Sequence, residues 1–230
     1  MKIFIFLFFL NNIFGQKLTP FHNGEILDYE VKLNFITVGS AKMSIKKITS
    51  EHKYLDYYYY FNLKTNKIWD QIYPIRDTVR TWIDSKNFYT HKMYKTIIEP
   101  NYKKKIKVVF NYDKKFFISN NNKINISKKI RDPYSFFYYL RTLNLKVGNE
   151  FKFDIFDDNK ISSVEFSVLK LEEVDTLIGK FQCLVIEPVD IKKNKSIMKI
   201  WLTNDENKIP IKIVSNTNFG SLNMLIVNKN

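Results

Sequence analysis

Asp132-Pro133-Tyr134-Ser135-Phe136-Phe137-Tyr138-Tyr139-Leu140-Arg141-Thr142-Leu143 is the one stretch of the chain that reads as a helix, in a sequence that otherwise reads as strands. Asp132 is placed to accept hydrogen bonds from the free amides of a first turn, and Pro133 fits the first helical position, where its missing N–H is no loss. Phe136, Tyr139, Leu140 and Leu143 recur at i, i+3, i+4 and i+7, and Gly148 lies a few residues beyond the end. Phe137 and Tyr138 fall off that stripe, so the helix is apolar on most sides, which is the pattern of a helix covered on most sides. The spacing predicts a helix over residues 133–143, set against or inside a sheet.

On either side of it the apolar period changes to two. Leu27, Tyr29, Val31, Leu33 and Phe35 alternate with Asp28, Glu30, Lys32 and Asn34, which predicts a half-buried strand with Phe35 on its buried face. Val38-Gly39-Ser40 marks a turn or bulge, and Ala41, Met43 and Ile45 continue the alternation. Further strands are read over 54–63, 77–84, 88–98 and 103–113, with a hairpin over Asn120-Asn121-Asn122. Between Lys64 and Pro74 the period lapses, and Trp69 lies in that irregular segment. After Gly148 the strands return over 150–156, 162–172, 199–202, 209–214 and 222–227, with a hairpin in which Gly179 takes positive φ. The expected fold class is mainly β: a large curved antiparallel sheet or open barrel of roughly ten to twelve strands carrying one aromatic-rich helix. No repeat, linker or composition break divides it, so residues 16–230 read as a single domain.

Hydrophobic residues make up 45% of the 230 and aromatics 16%, which excludes a disordered chain, and six glycines exclude a collagen-like one. The formal charge of +14, from 37 basic and 23 acidic residues, is scattered along strand faces, and its one compact run is Lys103-Lys104-Lys105. Scatter of that kind describes a solvated surface. Met1 to Gly15 reads as an export signal: Lys2 supplies a positive start, Ile3 to Leu10 a short apolar core, and Gly15 before Gln16 a small residue for cleavage. The apolar run is far shorter than the roughly 20 residues that span a bilayer, so no transmembrane segment is expected in the mature chain. An exported chain is kept apart from most nucleic acid, so no nucleic-acid partner is expected. Cys183 is the single cysteine; among Phe181, Leu184, Val185 and Ile186 it reads as a core thiol.

No phosphate-cradling glycine loop, His-Glu-x-x-His helix or Gly-x-Ser-x-Gly elbow occurs. His22, His52 and His91 stand far apart, and Asp157-Asp158 and Glu172-Glu173 read as turn and hairpin chemistry. No catalytic residue, metal ligand or cofactor is therefore expected. Arg141, late in an apolar helix, is read as the partner of the helix end or of a carboxylate such as Asp77, or as a contact to a ligand headgroup.

Five ordered motifs carry a resemblance. Phe21-His22-Asn23-Gly24-Glu25-Ile26-Leu27-Asp28-Tyr29, Val38-Gly39-Ser40-Ala41, Arg131-Asp132-Pro133-Tyr134-Ser135 through Leu140-Arg141, Gly179-Lys180-Phe181-Gln182-Cys183, and Trp201-Leu202-Thr203-Asn204-Asp205 to Ile209-Pro210 together resemble the exported bacterial domain-of-unknown-function 3108 family. Thr203 stands where that family usually has Ser. The resemblance implies a signal-bearing, strand-rich protein without assigned activity. The plan is also similar, at the level of fold, to periplasmic lipoprotein carriers, whose curved half-barrel holds acyl chains.

Two functions are compatible with these readings, both non-catalytic and both in the periplasm or outer cell envelope. In the first, the concave face of the sheet binds a lipid or other apolar ligand, with Trp69, Trp82, Phe136, Phe137 and Tyr138 as lining candidates and Arg141 as a headgroup contact. In the second, the protein is a structural or interaction module of the envelope, binding a partner protein or anionic headgroups through its outside. How completely the helix fills the concave face separates the two.

Overall fold

The computed structural model describes residues 19–49, 55–157, 160–217 and 220–230. The segment Met1–Gly15 read above as an export signal and the cleavage point expected at Gly15/Gln16, together with His52, Tyr54 and Asp158, lie outside the described residues.

The alternation seen in the sequence builds strands β1 (Glu25–Leu33), β2 (Ile36–Thr49), β3 (Leu55–Thr65), β4 (Arg76–Asp84), β5 (Thr90–Glu99), β6 (Tyr102–Asn111), β7 (Phe116–Ser119) and β8 (Asn122–Asn125) before the helix α1 (Pro133–Arg141). After it come β9 (Glu150–Asp157), β10 (Lys160–Thr176), β11 (Gly179–Asp190), the two-residue β12 (Lys195–Ser196), β13 (Lys199–Thr203), β14 (Pro210–Thr217) and β15 (Gly220–Lys229). All belong to one antiparallel sheet of 15 strands, more than the roughly ten to twelve expected from periodicity. Part of the excess is the two-residue β12, which is too brief to show a period; β7 and β8 form the hairpin expected over Asn120-Asn121-Asn122.

Neighbours in sequence are neighbours in space. The order is β8-β7-β6-β5-β4-β3-β2-β1-β15-β14-β13-β11-β10-β9, with β12 beside β11, so two meanders meet where the first strand pairs the last. In β1 the side chains of Leu27, Tyr29 and Val31 are buried while Asp28 and Glu30 are half-exposed, and the same rule repeats in β2, β3, β4 and β6. Burying one such apolar side chain stabilises the fold by about 1.5–3 kcal/mol, which fixes the register, since a slip of one residue would turn the whole set outward.

The sheet curls until its ends touch. Phe156 of β9 packs edge-on against Phe117 of β7 at 4.9 Å and Phe110 of β6 at 5.5 Å between ring centroids. Lys95 of β5 donates to Asp157 of β9 at 3.0 Å. Between the two ends runs the segment before the helix: Thr90 N donates to Ile130 O, and Phe156 N donates to Arg131 O. The result is a barrel whose seam is closed by side chains and one extended segment instead of a strand ladder.

Two local readings need adjustment. Phe35 does not lie on the buried face of β1; it is 95% exposed, because Asn34 takes φ 54° and the chain reverses there, so Phe35 sits at the tip of the β1–β2 turn. Gly39 is not in a turn but inside β2, where the register shifts between Val31↔Gly39 and Lys32↔Thr37, and a Cβ on it would meet Lys64 O at 2.2 Å. The bulge half of that reading stands, and the glycine is required by the close approach of β3. Gly179 takes φ 129° in the β10–β11 hairpin as expected.

Candidate functional site

The helix begins as its sequence dictates. Asp132 Oδ1 accepts from Tyr134 N at 2.8 Å and Ser135 N at 3.1 Å, and Asp132 Oδ2 accepts from the Thr90 hydroxyl at 2.5 Å. Asp132 N in turn donates to that hydroxyl at 2.9 Å, so the cap also ties α1 to the start of β5. Burial pushes the Asp132 carboxyl above its usual range, opposed by these hydrogen bonds.

From that start α1 lies across the concave side of the sheet. Phe136 packs on Phe166 of β10 at 4.2 Å and Phe153 of β9 at 4.9 Å. Tyr138 packs on Phe21 at 5.0 Å and on Tyr59 of β3 at 5.3 Å. Tyr134 lies 5.6 Å from Phe61, and Arg131 stacks 3.6 Å above the Tyr139 ring. The helix thus touches strands from both meanders.

One turn further on, Arg141 is fully buried and forms a planar fork with Glu25: Nη1 donates to Oε1 at 2.6 Å and Nη2 to Oε2 at 2.8 Å. Nη2 also donates to Pro20 O at 2.9 Å, and Nε to Asn207 O at 3.0 Å. Tyr138 hydroxyl donates to Glu25 Oε1 at 3.3 Å. Burial works against the guanidinium charge, and the Glu25 carboxylate more than offsets it, holding Arg141 above its ordinary value. The Asn207 carbonyl is presented by a turn that Asp205 organises, accepting from Thr203 Oγ1, Asn207 N and Lys208 N. Residues scattered from the start of the chain to its last fifth therefore meet at one polar node, whose Arg141–Glu25 centre is sealed while Asp205 and Asn207 stand at its exposed rim.

The Arg141 carboxylate partner is Glu25, not Asp77. Asp77 sits on β4 with its Oδ1 buried and unpartnered, and burial pushes its carboxyl up to about 6 against a hydrogen bond from the Ile98 backbone. A carboxyl raised in the fold holds its proton more tightly there than in the unfolded chain. Its stabilising share is complete below the ordinary value of 3.8 and is lost as pH climbs through about 6. Asp77→Asn is expected to be more stable than the parent at pH 7.5, by about 1 kcal/mol once solvent screening is discounted, and equal to it at pH 3.5. Thermal melts at the two pH values check this; a constant difference across both would show that the titration of Asp77 is not the cause.

The six residues singled out from sequence do not gather at one place. Phe136, Tyr138 and Arg141 are buried in the core, Phe137 is half-buried against it, and Trp69 lies in a 3-10 turn (Trp69–Gln71) between β3 and β4. Trp82 is on the outer face of β4, since Thr81 and Ile83 take the inner one. There it stands in a row with Tyr58 at 5.1 Å and Tyr94 at 5.4 Å. Lys92 Nζ lies 4.7 Å from both the Trp82 and Tyr94 ring centroids, and Lys46 and Lys107 cover Tyr58 and Tyr94 at 5.5 Å. The clearest depressions among the described residues are on the surface: one of about 420 Å³ lined by Ile97, Ile98 and Lys103 to Lys105, and one of about 90 Å³ beside Tyr112 and Ile126. Neither is lined by α1. Among the described residues no three His, Cys, Asp or Glu side chains gather to hold a metal. Cys183 is buried, its thiol pushed up to about 11 by burial.

With this architecture in place, the sequence profile described as "Protein of unknown function (DUF3108)" matches residues 28–227. The chain belongs to the DUF3108 family. The matched span begins three residues after Glu25, within β1, and ends within β15, so it covers nearly all of the curved sheet. No curated protein matches the chain. Among solved structures, a crystal structure from Brucella abortus described as a beta-barrel-like protein of domain of unknown function DUF1849 superposes with a TM-score of 0.58. It is 12% identical, with 90% of this chain and 97% of that one covered, a likeness of fold alone. No helix among the described residues is long and apolar enough to cross a membrane, which leaves strand-built membrane crossing a separate matter. The node built by Glu25, Arg141 and Asp205 was hidden from sequence reasoning because its partners lie far apart in the chain. The order of the family motifs was the one signal that linked them.

Proposed function

We propose that this DUF3108 protein is an exported, non-catalytic interaction module of the cell envelope: a single domain whose interior is structural and whose outside does the binding. The observation that carries this reading is the filled concave side, where Phe136, Tyr138 and the sealed Arg141–Glu25 pair occupy the place that an acyl chain and its headgroup would take in a carrier. A guanidinium with Glu25, Pro20 and Asn207 all bound has no donor to spare for a headgroup except one Nη1 proton. The export segment Met1–Gly15 supports placement outside the cytoplasm, where the mature chain would carry a formal charge of 14 − 1 = +13.

Native mass spectrometry of protein purified from cells tests it. The expected spectrum is of the lipid-free mature chain beginning at Gln16. A lipid retained at one per chain would overturn the reading in favour of a carrier, which requires α1 to move out of the barrel.

A further inference from the structure

In a meander, alternate loops share an end. The β1–β2 turn, the β3–β4 loop and the β5–β6 turn therefore project from the end of the barrel opposite to α1 and the sealed node. The first two are fastened together, since Asn66 N donates to Val38 O and Asn66 Nδ2 to Thr37 O, and the second is tied to the third by the Tyr73 hydroxyl on Glu99. Arg76 and Asp70 brace the β3–β4 loop with a two-pronged ion pair. These rigid loops hold apolar side chains out into solvent: Phe35 is 95% exposed, Ile36 59%, Ile68 72% and Ile72 67%. Around them stand the exposed Lys64, Lys67 and Lys103, which make no ion pair among the described residues. The surface depression floored by Ile97 and Ile98 and rimmed by Lys103 to Lys105 opens on the same end.

We infer that this end of the barrel docks on the surface of an anionic phospholipid bilayer, with Phe35, Ile36, Ile68 and Ile72 entering the headgroup–acyl boundary and the lysines meeting lipid phosphates. The inference rests on the outer-surface reading above and names its partner. Charge complementarity selects an anionic surface. The spacing of the tips selects a bilayer over a protein. Asn34, Asn66, Lys67, Asp70 and Gln71 are interleaved with the four apolar side chains, and a protein interface of the usual dry centre would trap those polar groups. A bilayer boundary accepts separate apolar wedges at depth while water and headgroups keep the polar residues between them solvated. A flat apolar patch, which a protein partner would bury, is not what these turns make.

Sedimentation of the purified chain with phosphatidylcholine vesicles, with and without phosphatidylglycerol, tests the inference. Binding is expected to the anionic vesicles, to fall about five-fold for each of Lys67→Gln and Lys103→Gln, and to fall by about ten-fold or more in a Phe35→Ser/Ile68→Ser/Ile72→Ser variant. Leu177→Ser removes an equally bare tip, 83% exposed in the β10–β11 hairpin at the opposite end, and is expected to bind as the parent does. A second measurement needs no tip variant: brominated phosphatidylglycerol should quench the parent's emission, and Trp69→Phe should remove most of that quenching, because Trp69 lies between Ile68 and Ile72. Absence of vesicle binding, equal binding by the tip variant, or equal loss in Leu177→Ser would overturn it; so would a stoichiometric complex with another protein formed through these tips without vesicle binding. Lipid-free protein that ignores vesicles refutes the docking end and leaves the outer-surface reading standing, whereas lipid held inside the barrel refutes that reading first.

Discussion

Arg141→Met is expected to lower the unfolding free energy by about 3–5 kcal/mol, because it leaves the Glu25 carboxylate buried with no cation opposite it. In a domain of this size that corresponds to a fall in the melting midpoint on the order of 10 °C. The second member of the pair decides the interpretation. Arg141→Met together with Glu25→Leu removes both charges, and is expected to recover most of the loss despite the orphaned Pro20 and Asn207 carbonyls. Arg141→Lys should fall between, since an ammonium keeps the charge but cannot reproduce the fork on Oε1 and Oε2. Thermal or urea unfolding of the four proteins checks the series. A single variant that costs under about 1 kcal/mol would mean that water reaches the pair in solution.

Asp132→Ala carries the next largest expected effect. It removes an N-cap worth about 1–2 kcal/mol and, in the same step, the acceptor of the buried Thr90 hydroxyl, adding about 1–2 kcal/mol more. Asp132→Asn keeps an oxygen toward Tyr134 N and Ser135 N, gives up the charge that burial already disfavours, and puts an amide NH2 where Oδ2 accepts, so that the Thr90 hydroxyl turns to Ser135 Oγ at 3.1 Å. It is therefore expected to lose less than half as much. Urea midpoints separate the two outcomes, and equal losses for Ala and Asn would show that the negative charge itself, not the hydrogen-bond geometry, holds the helix start.

The helix start was legible because capping is local: Asp132 and Pro133 act on amides within three residues, and the sequence shows both partners together. The strands were legible for the same reason, since Leu27, Tyr29 and Val31 alternate with polar neighbours whatever they pair with. What was lost needed information from a distance. Nothing near Arg141 in the chain points to Glu25, and Asp77 was as good a partner until the first strand was placed. Trp82 was misassigned to a lining because β3 and β4 carry large side chains on both faces, so period-two alternation could not say which face turned inward. Phe35 continued the apolar alternation of β1 without a break, and only the positive φ of Asn34 put it at a tip. The strand count rose in part because β12 is shorter than one alternation can reveal.

The pairing of the first strand with the last sets the order in which the molecule can be finished. Each meander grows by adding a strand to the one just made, contacts that are short in sequence and quick to form. The junction between them is different: Leu27 lies opposite Lys229, so β1 keeps a bare edge until β15 is available. A nascent chain therefore carries an adhesive edge on β1 until β15 has been made. It also means that β15 is the clasp of the barrel, since it pairs β1 on one side and β14 on the other. A chain stopped short of β15 would hold two half-sheets joined only through α1 and the seam, with no strand ladder between them.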